Sequence, residues 1–146
     1  MQAVVDEFGP SDLSKVAADY DTATQKANYA PGNSLAQWVF GPGTTKSILD
    51  GPATVVAAAD PVTYISSATP PFVELQGTHD QLVSPSQTGL VNNALRAKGV
   101  ESTRYLLKGA NHGDLTFLGN AKAALPWSTQ QVMALIASFL HQHLGS

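Results

Sequence analysis

Residues 71–113 read PFVELQGTHDQLVSPSQTGLVNNALRAKGVESTRYLLKGANHG and contain two strand-like segments with a helical pattern between them. The first segment, at 71–76, is short and mostly apolar, and the second, at 103–107, has the same character. Gly99 lies where a left-handed residue would end the helix. The apolar positions that recur at helical spacing are Leu90, Val91, Ala94 and Leu95.

Two helix starts can be recognised around this stretch. Ser84 and Gln87 flank Pro85 at the first helix, and Ser128 and Gln131 have the same spacing at a final helix, so we expect a capping box at both. A strand, a helix, a second strand and a second helix in this order predict parallel strands joined by right-handed crossovers. The final helix is predicted to bury Val132, Leu135, Ile136, Phe139 and Leu140.

The amino-terminal part adds one more strand and a region of short helices. Val4 and Val5 belong to an apolar strand-like run, after which residues 11–60 are rich in Ala, Gly, Pro and Thr. The fold class is therefore α/β, with a small, mostly parallel sheet of about three strands and flanking helices. We expect one domain over residues 1–146, with a helical lid-like insertion at 11–60 and the strand-helix-strand-helix unit at 61–146. Helices are predicted over Leu13–Ala27, Ser34–Phe40 and Ala53–Ala59.

Composition narrows the classes of function. The chain has 146 residues, a net charge of −3 and eight scattered Lys and Arg residues, which argues against nucleic acid as a partner. It contains no Cys, so neither disulfides nor thiolate metal sites are possible. No apolar run approaches a membrane span and no signal-peptide pattern is visible. We expect a soluble chain that does not interact with membranes; its compartment is open, with a slight preference for the cytoplasm.

Asp80 and His112 are the candidate catalytic residues. Each follows the end of a predicted strand by a few residues, and 32 residues separate them (112 − 80), enough for one helix and one strand. Because reacting groups gather at the carboxyl ends of parallel strands, we expect both side chains over one edge of the sheet. A carboxylate can hold a histidine ring in one tautomer and stabilise the imidazolium that forms when the ring takes a proton.

Plainer interpretations of these residues exist. Asp80 could cap a turn and His112 could be a surface loop residue, although their ordered placement after successive strands favours the catalytic interpretation. A metal cluster of His79, Asp80 and His112 is the weakest alternative, because adjacent side chains on an extended loop point apart. No cofactor and no metal are implied.

Five segments of the chain carry a resemblance to a known family. They are VVDEFGPSDL at 4–13, ADPVTYIS at 59–66, PPFV at 70–73, GTHDQLV at 77–83 and KGANHG at 108–113. Together they resemble the carboxyl-terminal half of an α/β-hydrolase. The resemblance covers nearly the whole chain and is nearest to the esterase and lipase-like hydrolases related to prolyl oligopeptidases and to feruloyl and acetyl-xylan esterases. It implies a serine hydrolase with Asp80 as triad acid and His112 as triad base, and a substrate pocket shaped by residues 11–60.

The sequence departs from this family in lacking a nucleophile. Members carry a Gly-x-Ser-x-Gly elbow and an oxyanion loop, and neither motif occurs in these 146 residues. The nearest approach is Gly32-Asn33-Ser34-Leu35-Ala36, where Ser34 is better explained as a helix cap. The resemblance therefore implies an incomplete catalytic triad, a truncated hydrolase and an isolated chain without esterase activity.

Two expectations about partners and function follow. The first strand would lack its neighbour, so we expect either a homodimer or swapped oligomer through that edge, or a complex with an amino-terminal hydrolase half. Once completed, such a complex would take a small ester substrate. The alternative function is a non-catalytic, self-associating relic that binds a ligand or a protein in the inherited cleft.

Overall fold

A parallel three-stranded sheet forms the centre of the molecule. The structure, a computed structural model, describes residues 1–113 and 127–145. The strands are β1 (Val4–Glu7), β2 (Phe72–Gly77) and β3 (Ser102–Leu107), and their spatial order is β1-β2-β3. The α-helices of the described residues are α1 (Thr22–Asn28), α2 (Ser34–Phe40), α3 (Ala53–Ala59), α4 (Ser86–Ala97) and α5 (Thr129–Leu144).

Both strand pairs are parallel, which confirms the predicted α/β class and the small parallel sheet. Phe72 of β2 lies opposite Val4 of β1 and Ser102 of β3, so the three strands begin at one level. Their carboxyl ends consequently meet at one edge of the sheet, the edge at which β2 and β3 lead into the loops of Asp80 and His112.

Helices α4 and α5 cover opposite faces of the sheet. Leu75 of β2 packs in a core cluster with Val132 and Ile136 of α5, whereas its neighbour Glu74 is bonded to Asn92 of α4. Successive residues of a strand point to opposite faces, so these two contacts place the helices on different sides. A second apolar cluster closes the α4 side at Val91, Leu95 and Val100.

The capping box predicted at α5 is present, whereas the prediction of one at α4 is wrong. At α5, the Ser128 hydroxyl accepts from the Gln131 amide and the Gln131 side chain accepts from the Ser128 amide, as expected. At α4, no side chain caps the helix. Ser84 accepts a hydrogen bond from the amide of Asp19 instead, and Gln87 is bonded to residues 11–15. Long-range backbone partners have replaced the local ones there.

Residues 11–60 fold into short helices with their own small core. Helices α2 and α3 have the predicted bounds, but the helix predicted over Leu13–Ala27 is wrong. A 3₁₀ turn at Leu13–Lys15 is separated from α1, which begins at Thr22 because the Asp21 carboxylate accepts from the amide of Thr24. Leu13, Ala36, Ile48 and Val56 form the buried cluster of this region. Among the helices of the described residues, none is long and apolar enough to cross a membrane.

Candidate active site

The loop after β2 is packed directly against the loop after β3. A side-chain carbon added at Gly77 would lie 2.3 Å from the carbonyl oxygen of Ala110, so only glycine permits this approach. The Ala110 carbonyl accepts from the amide of His79, and Thr78 Oγ1 accepts from the amide of Gly109. These contacts fix the distance between the acid loop and the histidine loop.

Asp80 is a buried carboxylate whose two oxygens are both bonded. Its residue is 1% exposed. Oδ1 accepts from the amides of Leu82 and Val83 at 2.9 and 3.0 Å, which winds the loop around the carboxylate. Oδ2 accepts from Nε2 of Gln76 at 2.9 Å. Charge-assisted donors of this kind stabilise an ionised carboxylate in a buried position.

His112 completes this arrangement. Its Nδ1 lies 3.0 Å from Oδ2 of Asp80, the oxygen that also accepts the hydrogen bond from Gln76. An ionised Asp80 fixes the tautomer with the proton on Nδ1, and the other ring nitrogen, Nε2, is then a base. Gly109 and Gly113 have φ values of 80° and 84°, so the histidine loop turns tightly at both ends as expected.

Phe8 also contacts the imidazole of His112. Its ring centroid lies 4.3 Å from that of His112 and the two planes are inclined by 56°. Phe8 follows β1 directly and has a φ of +52°, the left-handed region that a bulky residue rarely occupies. Backbone in such a region costs about 1 to 3 kcal/mol unless neighbouring contacts compensate.

A cleft opens beside His112. It has a volume of about 300 Å³, and among the described residues that line it His112 alone has an ordinarily titratable side chain. Trp38 and Leu82 are 65% and 57% exposed, so the rim presents apolar surface to solvent. The lining residues are Pro10, Val16, Asn28, Asn33, Ser34, Leu35, Trp38, Leu82, Val83 and His112.

The structure brings Asp80 and His112 together and leaves the other candidates apart. Ser34 lines the same cleft, yet no hydrogen bond connects it to His112 in the part of the chain that the structure describes. His79 is exposed. No three His, Asp or Glu side chains among residues 1–113 and 127–145 are grouped in a way that could hold a metal.

Two contacting residues, Gln76 and Phe8, were not anticipated from the sequence. With Glu74, Gln76 is one of two polar residues in the otherwise apolar strand β2, and this irregularity is the signal that could have identified it. Phe8 carries no such signal, because an aromatic residue at a strand end is ordinary core material.

Burial raises the pKa values of both carboxylates at the end of β1. It raises the pKa of Asp6, and the hydrogen bond from the Gly9 amide opposes this. The pKa of Glu7 is also raised, first by burial and then by the neighbouring charge of Asp6. Two adjacent acids with raised pKa values therefore precede the residue that contacts His112.

A parallel sheet flanked by helices, with a buried acid after one strand and a histidine after the next, defines the α/β-hydrolase class of fold. Residues 1–95 match the model of the BD-FAE family. The match covers well over half of the chain, and the protein belongs to this family of esterase-like α/β-hydrolases. No curated protein matches the sequence.

Solved structures that share this fold include proteins named as esterases. A bifunctional GH43-CE protein of Bacteroides eggerthii is 24% identical over 97% of this chain and 17% of its own, with a TM-score of 0.62. A truncated carbohydrate esterase from gut microbiota is 21% identical over 97% of this chain and 42% of its own, with a TM-score of 0.65. A propionate-bound esterase of Thermogutta terrifontis is 19% identical over 99% of this chain and 43% of its own, with a TM-score of 0.60. The chain thus spans less than half the length of these proteins.

Proposed function

We propose that this chain supplies the acid and the base of a serine-hydrolase site that cleaves carboxylic esters. The observation that carries the proposal is the Asp80–His112 pair. Oδ2 of Asp80 lies 3.0 Å from Nδ1 of His112, the carboxylate is buried, and the imidazole is open to a cleft. Family membership and the esterase names of the solved structures support ester hydrolysis as the reaction.

In this proposal His112 is the general base and then the general acid. Its Nε2 takes the proton of a serine hydroxyl as the oxygen attacks the ester carbonyl, and later donates it to the leaving alcohol. Asp80 keeps the ring in the required tautomer and stabilises the imidazolium. The four donors around Asp80 hold the carboxylate in position through both steps.

The nucleophile and the oxyanion donors come from polypeptide outside these 146 residues. No Gly-x-Ser-x-Gly segment occurs in the sequence, and an acid–base pair accelerates acyl transfer little without a serine and an oxyanion hole. The isolated chain is therefore inactive in this proposal, and it becomes part of an esterase when those groups are supplied.

The test measures turnover of a short-chain aryl ester and labelling by a serine-reactive fluorophosphonate. Both are run on the chain alone and on the chain co-expressed with an amino-terminal half of a BD-FAE hydrolase that contains the serine elbow. We expect no turnover alone, turnover in the complex, and a loss of about 10³-fold or more in the complex carrying His112→Ala. His79→Ala removes an exposed histidine outside the pair and is the matched control.

Other outcomes would redirect the proposal. Turnover by the chain alone that is abolished in Ser34→Ala would contradict the inactivity of the isolated chain and assign the nucleophile to Ser34. Turnover in the complex that survives His112→Ala would contradict the role of the histidine. Ligand binding in the cleft without turnover or labelling in any arm would favour the non-catalytic binding module.

A further inference from the structure

We propose that Phe8 is a positioning residue for His112, a wall that keeps the imidazole aligned with Asp80 and Nε2 directed into the cleft. The inference deepens the proposed function, because it assigns a role to a residue that touches the base and not the reacting atoms. Two independent observations carry it: the strained backbone of Phe8 and the contact between the two rings.

The backbone of Phe8 is held where glycine would be favoured. Its φ of +52° is the only positive value of a non-glycine residue in the described parts of the chain. The amide of Phe8 donates to the carbonyl of Leu75 at 2.8 Å, which ties the turn to β2. A large aromatic side chain therefore occupies a position whose backbone alone would favour glycine, and this conformation directs the phenyl ring at His112.

The ring contact supplies a restraint that Asp80 cannot. A single hydrogen bond fixes Nδ1 of His112 relative to Oδ2 of Asp80, yet the imidazole can still pivot about that line. The phenyl ring, with its centroid 4.3 Å from that of the imidazole, blocks this pivot on one side. Nε2 then keeps one direction, which proton transfer from a serine requires.

Other groups near His112 do not provide this restraint. Among the described residues, Asp80 is the one charged side chain bonded to its ring, and none of the described residues that line the cleft is Asp, Glu, Lys or Arg. Asp6 and Glu7 of β1 precede Phe8, and the Asp6 carboxylate accepts from the amide of Gly9. The phenyl ring is the other defined contact of the imidazole among the described residues.

The experiment follows the Nδ1-bound proton of His112 by ¹⁵N-edited NMR on the chain itself. Phe8→Gly removes the ring and suits the left-handed backbone, and Phe8→Tyr keeps an aromatic ring. We expect exchange of this proton with solvent to become about three- to tenfold faster in Phe8→Gly, since an aromatic pair contributes a factor of that order. In Phe8→Tyr the rate should return to that of the unmodified chain.

The chain offers a matched control in a second Phe–His pair. Phe139 and His143 of α5 have ring centroids 4.7 Å apart and planes inclined by 57°. Phe139→Ala should leave the His112 proton unchanged. Equal acceleration in Phe139→Ala and Phe8→Gly would show general loosening and overturn the proposal, as would an unchanged rate in a folded Phe8→Gly. If the glycine variant does not fold, Phe8→Leu replaces it, with the same expected direction and the same criterion.

This readout separates the inference from the proposed function. Proton exchange is measured without turnover, so an inactive chain leaves the test intact. Should the completed esterase form, Phe8→Gly is expected to lower kcat with little change in KM, because Phe8 is not among the described residues that line the cleft. An esterase in which His112 is dispensable would refute the proposed function, even if Phe8 were still shown to orient the ring.

Discussion

Glu74 lies in the central strand with no exposed surface, although it carries a carboxylate. Ser102 Oγ donates to it at 2.6 Å and Asn92 Nδ2 at 3.3 Å. In the register of the sheet Asp6 and Arg104 lie on either side of it. Arg104 is bonded instead to Thr88 Oγ1 at 2.9 Å, and no ion pair joins it to Glu74 in the described part of the chain. The carboxylate is thus buried with hydrogen bonds and without a paired cation.

Burial is the main cause of a raised pKa at Glu74, and the hydrogen bonds from Ser102 and Asn92 oppose it. An acid whose pKa is higher in the folded state stabilises the fold in its protonated form, so this stability is present below the unfolded value, near 4.5, and is lost as the pH rises through the folded pKa. Ionisation of Glu74 therefore weakens the fold.

We expect Glu74→Gln to gain stability relative to the unmodified chain as the pH is raised from about 4.5 to 7. The neutral amide has nearly the same shape and needs no ionisation in the interior. The free energy of unfolding from urea titrations at several pH values measures this difference. Asp50→Asn, at an exposed position, controls for the general effect of one negative charge. A Glu74→Gln difference that does not depend on pH would contradict the prediction.

At the scale of elements, the first turn of α4 is the anchor for the helical region before β2. Gln87 is fully buried, and its Oε1 accepts from the amides of Ser11 and Asp12, both at 2.9 Å. Its Nε2 donates to the carbonyl of Lys15 at 2.9 Å, while the Ser11 hydroxyl donates to the Gln87 carbonyl at 2.7 Å. One side chain thereby connects the helix after the acid loop to the segment that leads into the cleft.

Gln87→Leu is expected to destabilise the chain by about 2 to 4 kcal/mol, because it leaves the amides of Ser11 and Asp12 without their partner. The loss of stability should be local. The hydrogen-exchange rate of the Ser11 and Asp12 amides should therefore increase much more than that of the β2 amides. Urea unfolding and amide exchange measure the two effects. Gln130→Leu, at an exposed position of α5, is the matched control. Equal losses in both variants would contradict the anchoring role.

The same elements show what the sequence could and could not predict. The strands, helices α4 and α5, the parallel pairing and the approach of Asp80 to His112 follow from local apolar periodicity and from the rule that parallel strands end at one edge. The roles of Ser84 and Gln87 do not, because their side chains have a local capping partner and a distant backbone partner, and only the folded chain selects between them. The cleft rim at Trp38 likewise depends on how residues 11–60 pack.

At the scale of the whole molecule, β1 is an edge strand whose far side has no strand partner among the described residues. In the described residues it pairs with β2 alone, and the amides of Val4 and Phe8 donate to that neighbour. Since donors alternate along a strand, the amides of Val5 and Glu7 point to that far side. A short, half-buried edge strand with outward-pointing amides is a template for another strand. The chain also spans less than half the length of the esterases that share its fold.

We therefore expect the isolated chain to associate through β1, as a homodimer when alone and as a heteromer when an amino-terminal hydrolase half is supplied. Light scattering should give twice the mass of the chain at high protein concentration. Val5→Pro removes the amide that points away from β2 and leaves the hydrogen bonds to β2 in place. This variant should be a monomer. Val5→Ala keeps the amide and trims the same side chain, so it should remain dimeric. A chain that stays monomeric at every concentration would contradict association through this edge, and a dimer that persists in Val5→Pro would assign the contact to another surface.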